Sequence, residues 1–184
     1  MKTKIKFIAI TLWILFSRSY DAYCTYQFTP NLEREANPLV TILGFSWGPL
    51  LLIVGGGSLY IIYAYYISTF KDFDFFPKES NYRFSEFSTY LYLGKRKHWL
   101  ATFYQLPNNR ERFHHYMGQV ASAALVFLGV VSTIMWLLLK YTDFYPPYHS
   151  ATMIYTILIL GVLMIIYGWS YFQYGRYQRL NTEV

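Results

Sequence analysis

The stretch LVTILGFSWGPLLLIVGGGSLYIIYAYYISTF, residues 39–70, decides the fold because it is long, apolar and free of charged residues. A membrane's hydrocarbon core needs about 20 helical residues, and this run is longer. We therefore predict one tilted or kinked spanning helix, in which Pro49 removes a backbone hydrogen bond. Two half-helices around the glycines at 55–57 are the alternative. Asn37 and Pro38 precede the run and suit a helix cap and a first-turn position.

The composition of the whole chain agrees with membrane insertion. Of 184 residues, 54% are hydrophobic and only 14% charged, which is too apolar for an ordinary soluble domain. The 20 Tyr residues suit lipid–water boundaries, where amphipathic rings anchor helices. A single cysteine, Cys24, excludes an internal disulfide framework and a multi-cysteine zinc site. The net charge of +6 does not predict nucleic-acid binding, since the basic residues collect beside apolar segments.

Three further apolar segments lead us to predict an all-α, polytopic membrane protein with four transmembrane helices in one domain, residues 1–184. The first helix covers about residues 5–28 and is predicted to be retained, because no small-x-small cleavage pattern follows it; a cleaved secretory signal is the alternative. The third and fourth helices cover about residues 118–139 and 151–172. Residues 71–117 form an amphipathic cytoplasmic insert that is too long for a simple connector.

Within the insert, a short helix is predicted to open at Ser80 or Asn81 and to end at Gly94. Residues 95–107, KRKHWLATFYQLP, follow a basic lead with aromatic and aliphatic side chains that partly fit one helical face, as in a helix lying in the membrane interface. Anionic lipids are natural partners for such a segment, and ordinary retention of positive charge in the cytoplasm is the alternative. The predicted headgroup contacts are Lys95, Arg96, Lys97 and Trp99.

The basic residues also set the predicted orientation. Residues 2–6 hold three Lys or Arg, residues 71–112 hold eight and residues 176–179 hold two, against three on the other side. Because Lys and Arg stay on the cytoplasmic side of spanning helices, both termini are predicted to face the cytoplasm. The predicted location is the bacterial inner (cytoplasmic) membrane.

A polar cluster lies between the first two spans. Asp21 and Thr25 stand one turn apart near the outer end of the first helix, and Glu35 and Asn37 stand at the outer start of the second. Arg18 precedes Asp21 by three residues, so the two side chains share a helix face and can pair. If the two helices are neighbours, the carboxylates meet near the outer membrane boundary.

The pattern Asp-x3-Thr, nine residues, then Glu-x-Asn-Pro resembles a family of small prokaryotic multi-span membrane proteins of unknown function. That family is marked by an Asp and a Thr late in one span and by Glu-x-Asn-Pro at the start of the next. The matching positions are Asp21, Thr25, Glu35, Asn37 and Pro38. The resemblance covers roughly residues 15–45, and the chain departs from the pattern in Arg18 and in its large loop before the third helix. Because the family has no established activity, the resemblance implies a geometry and no chemistry.

Three interpretations of this cluster remain open. In the structural one, Arg18 neutralises Asp21, Asn37 caps a helix and Glu35 favours the helix's positive end. In the second, the carboxylate, amide and hydroxyl oxygens bind a hard cation, or two carboxylates share a proton. The third is catalysis. An ionisable residue within a span is costly, which marks the cluster as a functional hypothesis.

Small residues four apart suggest close helix contacts. Gly44 with Gly48, and Gly118 with Ser122, have the small-xxx-small spacing that lets helices approach in lipid. We predict that these pairs serve internal packing, and a docking face for another membrane subunit is the alternative.

The chain contains no HExxH, GxSxG, phosphate-binding glycine loop or CxxC, so no catalytic residue, metal site or cofactor is predicted. His114 and His115 point about 100° apart on a helix and cannot ligate one centre. We predict a non-enzymatic accessory or structural subunit of a larger membrane complex, with the lipid bilayer and other membrane subunits as partners. The alternatives are an ion-binding protein or enzyme that uses the outer polar cluster, and a small oligomeric channel or transporter.

Overall fold

The computed structural model describes residues 2–107 and 109–182, and all regular structure in these ranges is helical. Three helices there are long and apolar enough to cross a membrane: Trp47–Phe70, Arg110–Tyr141 and Ala151–Asn181. The α-helices are α1 (Lys2–Phe28), α2 (Pro38–Thr41), α3 (Trp47–Phe70), α4 (Phe84–Leu93), α5 (Arg110–Tyr141) and α6 (Ala151–Thr182). Two short 3-10 helices cover Trp99–Phe103 and Pro146–Tyr148. The prediction of an all-α chain with apolar spanning helices is thus confirmed at this level.

The first helix differs from those three because it carries five charged residues among 27. It nevertheless lies along α3 and α5. The Phe7 ring stacks on Tyr65 of α3 with ring centroids 5.4 Å apart, and Trp13 Nε1 donates a hydrogen bond to the Val126 carbonyl oxygen of α5 at 3.2 Å. α1 is therefore part of the helix bundle, antiparallel to α3 and parallel to α5.

α3 and α5 approach each other closely at Gly118. A Cβ atom at this position would lie only 2.2 Å from the Ala64 carbonyl oxygen, so no side chain fits between the two backbones. Ser122, one turn further along α5, is buried. Close backbone approach of this kind is how small residues stabilise helix pairs in lipid.

The segment predicted as one helix over residues 39–70 is divided, so that prediction was wrong. α2 ends at Thr41 and α3 begins at Trp47. Gly44 lies between them with φ +66°, a left-handed conformation that costs glycine little. Pro49 falls in the first turn of α3, where its missing N–H breaks no helical bond.

Two details of the same region follow from this division. α3 continues without interruption through the glycines at 55–57, so the alternative of two half-helices around them is also wrong. A Cβ at Gly44 or Gly48 would meet no atom within 4 Å. Within the described residues, this glycine pair therefore makes no close helix contact, unlike Gly118.

The chain between α3 and α5 forms a folded cap on the end of the bundle. Phe87 and Leu91 of α4 are completely buried, and Tyr82 and Tyr177 complete this aromatic core. Tyr177 belongs to α6, and its hydroxyl donates a hydrogen bond to the Glu79 carbonyl oxygen at 2.7 Å. The cap is therefore held to the last turns of α6 by burial of aromatic surface.

Two boundaries of the predicted insert need correction. α4 begins at Phe84, later than predicted, because the capping interaction lies at Arg83, whose N–H donates to Glu86 Oε2 at 3.1 Å. α5 begins at Arg110, so the last residues assigned to the insert of residues 71–117 belong to that helix. The end of α4 at Gly94 was predicted correctly, and Gly94 has φ +74°.

Arg112 joins the cap to α5. Only 6% of the residue is exposed, and its Nη1 donates to the carbonyl oxygens of Phe75 at 3.0 Å and Tyr90 at 3.4 Å. The guanidinium carbon also lies 4.7 Å from the centre of the Tyr90 ring. Planar delocalised charge suits such aromatic surroundings. In the sequence, Arg112 is only one of eight basic residues in positions 71–112, and nothing local indicates this role.

Candidate functional site

A cavity of about 440 Å³ lies between α1, α5 and α6, and the segment before α2 forms part of its wall. We call it the Asp21 cavity. The five residues of the predicted polar cluster all line it: Arg18, Asp21, Thr25, Glu35 and Asn37. The structure therefore brings this cluster together, although its members come from a helix and from the following connection.

Asp21 is fixed by three side chains. Its Oδ1 accepts hydrogen bonds from Trp136 Nε1 at 2.8 Å and from Ser132 Oγ, both on α5. Its Oδ2 lies 3.7 Å from Arg18 Nη1, which is an ion pair within α1. Hydrogen bonds to a charged carboxylate are stronger than neutral ones, so the carboxylate has a defined orientation.

Ser132 and Trp136 were not found by sequence analysis. They stand four residues apart on α5 and therefore share a helix face, but nothing in that local pattern indicates a carboxylate more than 100 residues away. A buried indole N–H normally requires an acceptor, which is the only signal that the sequence offered.

Arg18 has unused donors. Its side chain is 18% exposed, and the Nε and Nη2 atoms are buried with no hydrogen-bond partner among the described residues. Guanidinium is a donor-only group, and burial of its donors without acceptors is costly. Arg18 thus has two buried donors that no described residue satisfies.

Glu35 and Asn37 complete one side of the cavity. Glu35 Oε1 accepts a hydrogen bond from the Asn37 N–H at 2.9 Å, and Asn37 Oδ1 accepts from the Leu39 N–H at 3.0 Å. The second bond confirms the predicted cap of α2. Burial, and secondarily the nearby charge of Asp21, raises the pKa of Glu35. Proton uptake by Glu35 therefore occurs more readily than in water.

The remaining lining combines polar groups with apolar walls. Arg34, His149 and Tyr155 add polar atoms, while Leu128 and Leu158 add aliphatic surface. Over the described ranges, His, Cys, Asp and Glu side chains form no group of three with metal-binding geometry.

The predicted headgroup contacts lie elsewhere, on the cap. Arg96 Nη2 binds Glu86 Oε2 at 2.7 Å, and its guanidinium lies 4.9 Å from the Tyr82 ring centre. This pairing with Arg96 lowers the pKa of Glu86. Lys95, Lys97 and Trp99 are exposed. The amphipathic helix predicted over residues 95–107 is wrong in extent, because only the 3-10 helix Trp99–Phe103 forms.

Comparisons with known protein families, with curated proteins and with solved structures found no match to this chain. The fold and the cavity define the class of the protein: over the described residues it is all-helical, with three helices able to span a membrane and a polar cavity at one end of the bundle. The resemblance of residues 15–45 to a prokaryotic membrane family stays a prediction.

Proposed function

We propose that this protein is a membrane-embedded binding protein that takes a small polar ligand, carrying an acceptor oxygen, in the Asp21 cavity. The observation that supports this proposal best is the Arg18 guanidinium. Arg18 lines the cavity, and its Nε and Nη2 have no acceptor among the described residues. Asp21 and its partners on α5 hold that guanidinium in place. The polar groups thus orient a ligand, and the aliphatic lining supplies apolar contact, as in most small-molecule sites.

The proposed setting is a bacterial inner membrane crossed four times, with both termini and the cap in the cytoplasm. α1 is the fourth span in this arrangement, because its 27 residues are long enough and it contacts α3 and α5 at both ends. Three lysines precede its apolar part, and the cap carries most other basic residues, which supports the orientation. The Asp21 cavity then lies near the outer boundary.

Ligand-induced stabilisation tests the binding proposal. Acetate, inorganic phosphate and glycine represent a carboxylate, an oxyanion and a zwitterion, and each is added during thermal unfolding of the purified protein. A ligand at about 100 times its dissociation constant stabilises a protein by about 2.7 kcal/mol. We expect at least one probe to raise the Tm of the wild type and of the exposed control Lys78→Gln, but not of Arg18→Gln. No shift with any probe, or an equal shift in Arg18→Gln, contradicts the proposal.

A second candidate function is the accessory subunit of a larger membrane complex. Only 6% of the most apolar window of α6 is buried within the chain, and the surface at Gly48 is open. A partner helix can pack against such small-residue surfaces in lipid. Purification in mild detergent should then yield a stoichiometric complex, which Gly48→Leu disrupts without lowering the Tm of the isolated chain. A monomer without co-purifying protein contradicts this candidate.

We also propose that the cap touches anionic lipid through Lys95, Lys97 and Trp99. Half of Trp99 is exposed, and Phe103 and Leu106 of the same loop are 78% and 81% exposed. Aromatic and aliphatic side chains beside cations are typical of segments that lie in a membrane interface. Arg96 contributes less, since it is paired with Glu86.

A further inference from the structure

A second cavity, of about 570 Å³, lies at the opposite end of α1 and shares no residue with the Asp21 cavity. Its walls come from four helices. The polar and aromatic lining includes Lys2 and Lys6 of α1, Ser68 and Thr69 of α3, Gln119 of α5 and Trp169 of α6. We call it the lysine cavity.

The charge of this cavity is one-sided. Lys2 and Lys6 stand four residues apart and therefore share one face of α1. The lining contains no Asp or Glu, and neither lysine forms an ion pair with another described residue. Two ammonium groups beside a bundle of apolar helices thus have no counter-charge among the described residues.

Gln119 adds a donor. Its Oε1 accepts hydrogen bonds from Trp169 Nε1 at 3.1 Å and from Gln173 Nε2 at 3.4 Å. An indole N–H only donates, so the atom facing Trp169 is the carbonyl oxygen, and the amide NH2 faces another way. That NH2 group donates to none of the described residues, and Gln173, which helps to fix Gln119, is buried. The cavity therefore offers donors and cations, which is the chemistry of an anion site.

The surroundings suit a lipid. α1 packs on α3 and α5, whereas α6 packs on α5 and α4. α1 and α6, which both contribute to the cavity wall, therefore make little direct contact with each other. Ile10 of α1 and Ala123 of α5 add apolar surface to the wall of the cavity itself. Apolar surface of this kind can accommodate acyl chains beside the cavity.

We propose that the lysine cavity binds the phosphate of an anionic phospholipid headgroup, with Lys2 and Lys6 neutralising the phosphate and Gln119 donating to it. The proposal does not depend on the function of the Asp21 cavity. Each lysine near a lipid phosphate contributes about fivefold to binding.

Native mass spectrometry of the full-length protein in detergent micelles tests it, with dioleoylphosphatidylglycerol and dioleoylphosphatidylcholine added in equal amounts. Both lipids carry a phosphate, and only the first has a net negative charge. We expect the wild type to retain phosphatidylglycerol preferentially and Lys2→Gln/Lys6→Gln to lose that preference by roughly twentyfold. The charge-matched control Lys4→Gln/Lys78→Gln changes exposed lysines that do not line the cavity, and it should stay within about twofold of the wild type.

Three outcomes overturn the proposal. Equal loss of preference in both double variants shows attraction to net charge without a site, and an unchanged preference in Lys2→Gln/Lys6→Gln shows that other residues bind the lipid. The third outcome comes from adding inorganic phosphate as a competitor. Full displacement of phosphatidylglycerol by an equal concentration of phosphate assigns the cavity to the free ion. Matching thermal unfolding curves for the variants establish that all are folded.

Discussion

Trp136 Nε1 on α5 donates a hydrogen bond to Asp21 Oδ1 on α1 at 2.8 Å. This bond joins α1, which carries five charged residues, to α5, which is apolar enough to cross a membrane. It also helps to position Asp21 for its ion pair with Arg18, which lines the same cavity. One carboxylate thus contributes both to the packing of α1 and to the candidate binding site.

Asp21→Ala should destabilise the protein by about 1–3 kcal/mol, because the donors of Trp136 and Ser132 lose their acceptor and Arg18 loses its partner. Asp21→Asn keeps an acceptor, so its free energy of unfolding should lie between those of Asp21→Ala and the wild type. The free energy of unfolding in mixed micelles measures both. The exposed control Asp143→Ala should change it by less than about 0.5 kcal/mol; equal effects at the two aspartates would refute the role of Asp21 in helix packing.

Gly118→Ala should cost about 1–3 kcal/mol, because its Cβ would lie 2.2 Å from the Ala64 carbonyl oxygen and the two backbones must separate. Gly57→Ala is the matched control within a helix, since a Cβ there meets no atom within 4 Å. That control should stabilise the protein by roughly 0.5–1 kcal/mol through helix propensity. Unfolding curves of the two variants should therefore shift in opposite directions, and a shift of both in one direction argues against the close α3–α5 contact.

Arg112→Gln should loosen the cap, because the carbonyl oxygens of Phe75 and Tyr90 lose a charged donor that is worth about 1.5–3 kcal/mol per bond. Limited trypsin digestion measures the effect, with cleavage at Lys95–Lys97 expected to accelerate several-fold. Arg110→Gln removes an exposed charge two residues away and should leave the cleavage rate unchanged. Identical digestion of Arg112→Gln and the wild type would show that the cap is held by its aromatic core alone.

Glu35 makes stability depend on pH. Because burial raises its pKa, the folded protein binds this proton more tightly than the unfolded chain does. Ionisation of Glu35 therefore destabilises the folded protein. This effect is absent in acid, appears as the pH rises through the ordinary carboxyl range and is complete above the raised pKa of Glu35. Glu35→Gln should therefore have a higher Tm than the wild type at about pH 8 and the same Tm at about pH 4. The exposed control Glu33→Gln should match the wild type at both values, and a lower Tm for Glu35→Gln at the higher pH would reverse this account.

Local signals predicted the local features of the fold. Asn37 caps α2 and Gly94 ends α4, because each effect involves side-chain or backbone preferences within a few residues. Long apolar runs predicted α3, α5 and α6, because the signal for each helix likewise lies within its own segment. The break at Gly44 was missed, since its left-handed backbone interrupts a run that hydropathy alone treats as continuous.

Features that depend on distant residues were not predictable from one sequence. Phe87 and Tyr177 meet in the cap core from positions 90 residues apart, and no periodic pattern encodes that contact. The same holds for Ser132 and Trp136 at Asp21. The spacing of Asp21 and Glu35 did identify residues that line one cavity, because both flank the same short connection between helices.

A high-resolution electron cryo-microscopy map of the wild-type protein, purified with its native lipids, tests the central claim most directly. The account predicts non-protein density in the Asp21 cavity within about 3.2 Å of the Arg18 guanidinium. A map in which the guanidinium donates only to the Asp21 carboxylate, with side chains filling the cavity, would contradict it.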